Sequence, residues 1–279
     1  MSDTMRILII GCGNMGGAML AGWLAAGISP DRFAILDPAL GHAPDGVALH
    51  RNVAELEAAK AEGADFSAVL LGFKPQQLGQ LAPGFQPLTG GDVVVYSLLA
   101  GLTLDQLVAA FPAARAHVRV MPNLAARINK SPIILHDRGL DAGARMATFD
   151  LFDALGTAVW LEDESQFDLV TALAGSGPGF VYRFIDGLAK AAQALGLEAG
   201  QATELALATV DGAAALAAQA AASDHGAASP GELADQVASP GGMTREGLNV
   251  LDDEQALVRL LTATLRATAD RGAQLSAGG

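Results

Sequence analysis

The run Gly11-Cys12-Gly13-Asn14-Met15-Gly16, near the start of the 279-residue chain, has the spacing G-x-G-x-x-G. Glycines placed this way let a turn tighten and let backbone N–H groups approach a pyrophosphate, which then rests at the positive end of the following helix. By itself the string also fits an ordinary glycine turn. Its setting favours dinucleotide binding, because it follows the apolar run Met5 to Ile10 and opens a helical pattern. On that reading Gly11, Gly13, Asn14, Met15 and Gly16 face the cofactor, and Cys12 is a small turn residue and not a nucleophile. Asp37 ends the next apolar run, about 20 residues further on, where an acidic side chain accepts hydrogen bonds from the adenosine ribose hydroxyls. It would repel a 2′-phosphate and no arginine follows immediately, so the sequence favours NADH over NADPH. The alternative is that Asp37-Pro38 simply starts a turn.

Three more apolar runs end in polar residues or glycines: Phe73-Lys74-Pro75, Ser97-Leu98-Leu99-Ala100-Gly101 and Met121-Pro122-Asn123. Open α/β sheets bind ligands beyond the carboxyl ends of their strands, so these loops are expected to line the cofactor. Taken singly, Lys74 also reads as a solvated lysine and Asn123 as a turn former. Further on, Gly175-Ser176-Gly177-Pro178-Gly179 interrupts two apolar helical patterns, and Ser239-Pro240-Gly241-Gly242-Met243-Thr244 precedes another. Backbone N–H groups, hydroxyls and a helix start together bind carboxylates. Serine and threonine in such places equally serve as helix caps.

Positioning these residues requires a scaffold. Met5 to Ile10 has the pattern of a parallel strand buried on both faces. Further strands are expected at Phe33 to Leu36, Ala68 to Phe73, Val93 to Ser97 and His117 to Met121. Helices are expected at Asn14 to Ala26, stopping at Gly27, and at Val53 to Ala61, Gln76 to Leu81 and Leu104 to Ala110. This alternation predicts an α/β fold with a doubly wound parallel sheet. After Val159 no strand-like run appears, and Phe167 to Ala273 reads as successive Ala/Leu-rich helices. The expected division is a dinucleotide-binding Rossmann domain over 1–161 and a helical domain over 162–279, joined near Glu162-Asp163-Glu164. Small residues such as Ala206, Ala208 and Ala213 to Ala215 let helices approach closely, and the apolar helical half is expected to bury a face against another subunit. An ordinary intradomain core is the alternative.

Composition narrows the function. With 17 Lys+Arg against 30 Asp+Glu, the net charge of -13 opposes binding to nucleic acid, which needs cationic surface. A hydrophobic fraction of 51% with 17% charged residues belongs to a folded chain with a large core. One cysteine allows no internal disulfide, which fits a reducing, cytoplasmic compartment. The uncharged run from Ile7 to Pro30 resembles an export or anchor segment only superficially, because glycines and Asn14 punctuate it, so no membrane role is expected. Of five histidines only His225 lies in the helical half, beside Asp224, and it reads as a solvated surface residue.

Taken in order, six segments resemble the pyrroline-5-carboxylate reductase family: GCGNMG at 11–16, FKP at 73–75, SLLAGLTLDQL at 97–107, VRVMPN at 118–123, TALAGSGPGFVY at 171–182 and SPGGMTREGL at 239–248. The resemblance implies a Rossmann domain, an all-helical dimerisation domain, and hydride transfer from NAD(P)H to the C=N bond of 1-pyrroline-5-carboxylate, giving L-proline. Carried over by position, it places the substrate carboxylate against Ser239, Gly241, Gly242 and Thr244, with the Thr244 hydroxyl hydrogen-bonding the imine nitrogen. It places Asn52, Lys74, Pro75, Ala100, Gly101 and Asn123 beside the cofactor. It requires no metal, and it implies an intertwined homodimer with larger rings of dimers allowed.

The chain departs from the family pattern at several points. Where the family usually reads MPNTP, this chain has Met121-Pro122-Asn123-Leu124-Ala125. Ala174 stands for a usual serine, Gly179 for a usual alanine and Met243 for a usual small residue. Hydroxyacid dehydrogenases of the same plan carry a helical-domain lysine with Asn four residues later, whereas here Lys190 is followed by Ala194. The alternatives are therefore a reductase of another cyclic imine and a catalytically silent NAD-binding protein.

Overall fold

Branched and aromatic residues alternate their direction along each strand, and here both directions lead into apolar core. Ile7, Ile9, Phe33, Ile35, Leu70 and Tyr96 are buried on one face of the sheet, with Leu8, Ile10, Ala34, Leu36, Val69 and Val95 buried on the other. The structure, a computed structural model, describes residues 5–222 and 228–277, so Asp224 and His225 lie outside the described residues. Eight strands form one sheet: β1 (Ile7–Ile10), β2 (Phe33–Leu36), β3 (Ala48–His50), β4 (Ala68–Leu71), β5 (Val94–Ser97), β6 (Ala116–Met121), β7 (Ser131–Arg138) and β8 (Gly156–Trp160). Their order is β3-β2-β1-β4-β5-β6-β7-β8.

Helices cover both faces. From α1 (Asn14–Ala25) and α5 (Ala142–Asp153), Met19, Leu20, Trp23, Leu151 and Phe152 pack on the first face. From α2 (Val53–Ala61), α3 (Leu78–Phe85) and α4 (Leu104–Ala110), Leu56, Ala82, Leu104 and Leu107 pack on the second. Trp23 ties α1 down twice: its ring stacks on Phe33 at 5.2 Å and its Nε1–H donates to the Leu151 carbonyl at 2.8 Å. Gly22 permits this close approach, because a Cβ there would lie 2.1 Å from the Ala126 carbonyl oxygen.

The elements read from sequence are present, and β2, α2 and α4 have the expected bounds. Strand β4 stops at Leu71, two residues early, because the chain turns at Gly72 to pass against Gly11. The helix expected at Gln76 to Leu81 is a 3-10 turn over Pro75–Gln77 that runs into α3. Helix α1 ends before Gly27, whose φ of 83° suits the reversal. Strands β3, β7 and β8 and helix α5 were not expected. The sheet is parallel except at one pairing, where β7 runs antiparallel to β6.

Among the described residues the chain divides into two compact units: residues up to Ser176 together with those from Thr268 onward, and Gly177–Ala267. The first unit holds the sheet and α6 (Phe167–Val170). The second is helical, comprising α7 (Gly177–Ala194) packed on α8 (Ala199–Ala221), with α9 (Pro230–Gln236), α10 (Met243–Asp252) and the first part of α11 (Ala256–Ala277). In the single chain Tyr182, Leu216, Val250 and Leu260 of this unit are each about two-thirds or more exposed. No helix among the described residues is long and apolar enough to cross a membrane.

Gly22→Ala should destabilise the first unit by about 2 kcal/mol or more, as overpacking against a backbone carbonyl does. Urea unfolding measures this, and an unchanged midpoint would mean that α1 is free to move away.

Candidate functional site

Parallel pairing brings five strand ends into one row, level with Arg119 of β6, which continues to Met121. His50 is level with Leu36, Leu36 with Ile10, Ile10 with Leu71, Leu71 with Ser97, and Ser97 with Arg119. The residues that follow this row are Arg51-Asn52, Asp37, the glycine turn from Gly11, Gly72 to Pro75, Leu98 to Gly101, and Val120 to Asn123. All the residues expected beside the cofactor are therefore at one edge of the sheet.

The glycine turn is shaped by exclusion. Gly11 adopts φ 84°, and a Cβ on it would lie 2.8 Å from the Phe73 backbone nitrogen. Two backbones cross here with no space for a side chain between them. Above the turn there is open space, since a Cβ at Gly13 would meet nothing within 4 Å. Gly13 is the N-cap of α1 without a side-chain cap bond, and the first turn carries no acidic residue. The first N–H groups of α1 thus face outward without a capping side chain, at the positive end of a 12-residue helix. An accessible cradle of donors with no competing carboxylate in its first turn fits a pyrophosphate.

Asp37 serves this turn directly. Its Oδ2 accepts from the Cys12 N–H at 2.9 Å, while Oδ1 accepts from the N–H groups of Ala39 at 2.8 Å and Leu40 at 3.2 Å. The turn reading of Asp37 is thus seen directly, since its carboxylate closes the turn after β2 at the end of that strand. A carboxylate has about four acceptor positions, so about one is left for a hydroxyl. Burial pushes the Cys12 thiol up to about 11, with the Asp37 charge adding to the shift, so Cys12 stays protonated.

The other loops differ in what their side chains are already doing. Asn52 caps α2, its Oδ1 accepting from the Glu55 N–H at 3.0 Å and its Nδ2 donating to Glu55 Oε1 at 2.9 Å. Lys74 is exposed and has no ion-pair partner among the described residues. Ala100 is exposed, and Leu98 N–H is held by the Leu71 carbonyl at 3.0 Å.

Asn123 is buried, and its backbone N–H and both side-chain polar atoms are each bonded. Its N–H donates to Ser131 Oγ at 2.9 Å, Oδ1 accepts from the Ala125 N–H at 2.9 Å, and Nδ2 donates to the Ala174 carbonyl at 2.9 Å. That last bond has a sequence reason: in an α-helix the Ala174 carbonyl would accept from residue 178, and Pro178 has no N–H. The helix passes through a π turn over Thr171–Gly175 at this point. Two positions earlier, at the end of β6, the Met121 side chain lies where a Cβ on Gly175 would meet it at 3.6 Å. A further step back, buried Arg119 pairs with Glu164 at 2.8 Å and lies over the Phe167 ring at 3.6 Å. Burial lowers the Arg119 pKa, and the Glu164 bond works against that shift. Arg119, Met121 and Asn123 together fasten residues 164–175 to β6. Sequence reasoning assigned Arg119 no such role, although a charged residue within the buried run Ala116 to Val120 is the available signal.

In the second unit, Gly242 N–H donates to the Ser239 carbonyl at 2.9 Å, with Pro240 second in the turn and Gly241 third at φ 71°. Gly242 is the N-cap of α10 and receives no side-chain cap bond. Among the described residues the hydroxyls of Ser239 and Thr244 make no hydrogen bond to the protein, and both residues are exposed beside a helix N-terminus. Arg245 braces the loop through Asp235 at 2.7 Å. The Gly175-Ser176-Gly177 segment instead continues from the π turn into α7. Lys190 is exposed and paired with Asp186 at 2.9 Å.

A fingerprint turn on a parallel sheet, followed by a helical unit with a hydroxyl-bearing helix start, defines a nicotinamide-dependent oxidoreductase of the Rossmann-plus-helical kind. Residues 164–275 match the family model for pyrroline-5-carboxylate reductase dimerisation. The chain is 31% identical over 275 residues to pyrroline-5-carboxylate reductase 2 of Bacillus subtilis, covering 95% of this chain and 94% of that one. It is 34% identical over 258 residues to the pyrroline-5-carboxylate reductase of Escherichia coli, covering 89% and 90%. The solved pyrroline-5-carboxylate reductase of Coxiella burnetii superposes with a TM-score of 0.86 at 28% identity, covering 98% and 99%. The chain belongs to the pyrroline-5-carboxylate reductase family.

Asn123→Asp keeps the acceptor for Ala125 and sets an oxygen against the Ala174 carbonyl. It should cost about 1–3 kcal/mol, as a buried carbonyl left without its donor does. Thermal unfolding reads this, and an unchanged midpoint would remove the fastening role.

Proposed function

We propose that the chain performs its family's reaction, reduction of 1-pyrroline-5-carboxylate to L-proline, through the two loops described above. The observation that carries this is the pair of uncommitted hydroxyls, Ser239 and Thr244, at the start of α10, in a chain whose strand-end row is shaped for a dinucleotide. NAD(P)H, when bound, supplies the hydride that adds to the carbon of the C=N bond. Gly13, Asn14, Met15 and Gly16 offer the pyrophosphate their backbone, Gly11 borders it as the turn residue whose N–H donates to the Leu36 carbonyl at 3.0 Å, and Lys74, Pro75, Ala100, Gly101 and Asn123 border the same edge, with Asn52 beside Asp37. Ser239, Gly241, Gly242 and Thr244 hold the substrate carboxylate at the helix N-terminus, and Thr244 is the catalytic residue, its hydroxyl bonded to the imine nitrogen. A cyclic imine that is protonated or nearly so already accepts hydride, so orientation supplies most of what the protein must add.

The Asp37 carboxylate favours NADH. The exposed apolar side chains of the helical unit are what a subunit interface covers, which supports a homodimer, with rings of dimers as an extension. We place the protein in the cytoplasm, acting on a small molecule without nucleic acid or membrane partners. Hydroxyacid chemistry is disfavoured, because Lys190 is occupied by Asp186 and Ala194 follows it.

Purified protein with 1-pyrroline-5-carboxylate should oxidise NADH, and NADPH less well, with proline as product. Thr244→Ala should lower kcat by about a hundredfold, the scale of losing one donor to the reacting atoms. Asp37→Ala should weaken NADH more than NADPH, whereas damage to the turn alone would weaken both equally. Dinucleotide binding without turnover would point to another cyclic imine or to a silent binding protein.

A further inference from the structure

Arg51 follows β3, a strand with no apolar run, so its location is invisible in the sequence. Pairing places it beside Asp37: His50 is level with Leu36, and Asp37 N–H donates to the His50 carbonyl at 3.0 Å. Its guanidinium crosses the loop after β2, donating through Nη1 to the Leu40 carbonyl and through Nη2 to the Gly41 carbonyl at 2.9 Å. Both acceptors are neutral. No carboxylate among the described residues lies within ion-pair distance of this guanidinium. Glu55, close in sequence, accepts instead from the Arg51 backbone N–H at 2.6 Å and from Asn52. Of the five N–H donors of an arginine, two are used and three remain. Next to it, Asp37 has three backbone donors on its carboxylate and about one acceptor position left.

We infer that Arg51 is a specificity-determining residue that makes this subsite competent for a phosphomonoester as well as for a free hydroxyl. It binds the 2′-phosphate of NADPH through its three remaining N–H donors, while Asp37 accepts from the unphosphorylated ribose of NADH. The chain then uses both cofactors, and the repulsion expected from Asp37 is offset by a cation one strand away. This inference rests on the strand-end row being the dinucleotide site.

Binding can be measured by calorimetry on the full chain without imine substrate, using NADH, NADPH and adenosine 2′,5′-bisphosphate. Arg51→Gln should weaken NADPH and the bisphosphate by at least about tenfold, the scale of a lost charge-assisted pair, and leave NADH within about twofold. Arg51→Lys, which keeps the charge and loses the fork, should fall between. Equal weakening of all three ligands would reduce Arg51 to a brace for the Leu40-Gly41 loop and overturn the inference, as would unchanged NADPH affinity. Failure of the wild-type chain to bind either dinucleotide would overturn the cofactor-site reading along with it.

Discussion

The structure depends on one constraint, the register of a parallel sheet. Five strands end level from His50 to Ser97 and β6 runs two residues past them to Met121, so the loops that leave them open at the same edge. No side chain has to reach far, because the backbone has already gathered the glycine turn, Asp37, Lys74, Ala100 and Asn123. The price of such alignment is crowding. At the centre of the row Gly11 and Gly72 pass each other so closely that a Cβ on Gly72 would lie 2.4 Å from the Gly11 carbonyl oxygen. The fingerprint glycine thus answers to the neighbouring strand as well as to a ligand.

Several side chains at this edge are committed to the fold before any ligand arrives. Asp37 closes its own turn and holds the Cys12 amide, Asn52 caps a helix, and Asn123 satisfies three partners. The last of these reaches the carbonyl that Pro178 leaves without a helical donor, so a proline in one segment explains an asparagine in another. Arg119 adds a buried charge whose desolvation is offset by Glu164 and by the Phe167 ring. Breaking such a pair leaves an uncompensated charge, and its contribution is one of position more than of net stability. The hydroxyls of Ser239 and Thr244 are the contrast: both residues are exposed and neither hydroxyl bonds a protein group among the described residues.

The sheet centre was legible because β1, β2, β4 and β5 are buried on both faces and read as short apolar runs, and β6 alternates Val118 and Val120 with His117 and Arg119. The edges were not. Strand β3 is three half-exposed residues, and β7 starts with Ser131-Pro132 and ends in His136-Asp137-Arg138, so only its middle is apolar. Strand β8 buries only Ala158 fully. Losing β3 hid Arg51, since the sequence shows only that no arginine follows Asp37 and not that one stands beside it. The antiparallel β7 was hidden for the same reason: its direction follows from the short connection Leu124 to Lys130, too short for a crossover helix. At the Ser239 loop, sequence left carboxylate binding and helix capping open, because serine and threonine beside a helix start suit either.

The central claim is that the strand-end row holds the dinucleotide and the start of α10 holds the substrate carboxylate. A crystal structure with oxidised cofactor and L-proline tests it most directly. The expected result is pyrophosphate density over residues 12–16, the adenosine ribose between Asp37 and Arg51, and the proline carboxylate on the backbone of 241–244 with Thr244 Oγ1 at the ring nitrogen. Density for proline away from that loop, or a dinucleotide bound without contact to the glycine turn, would contradict it.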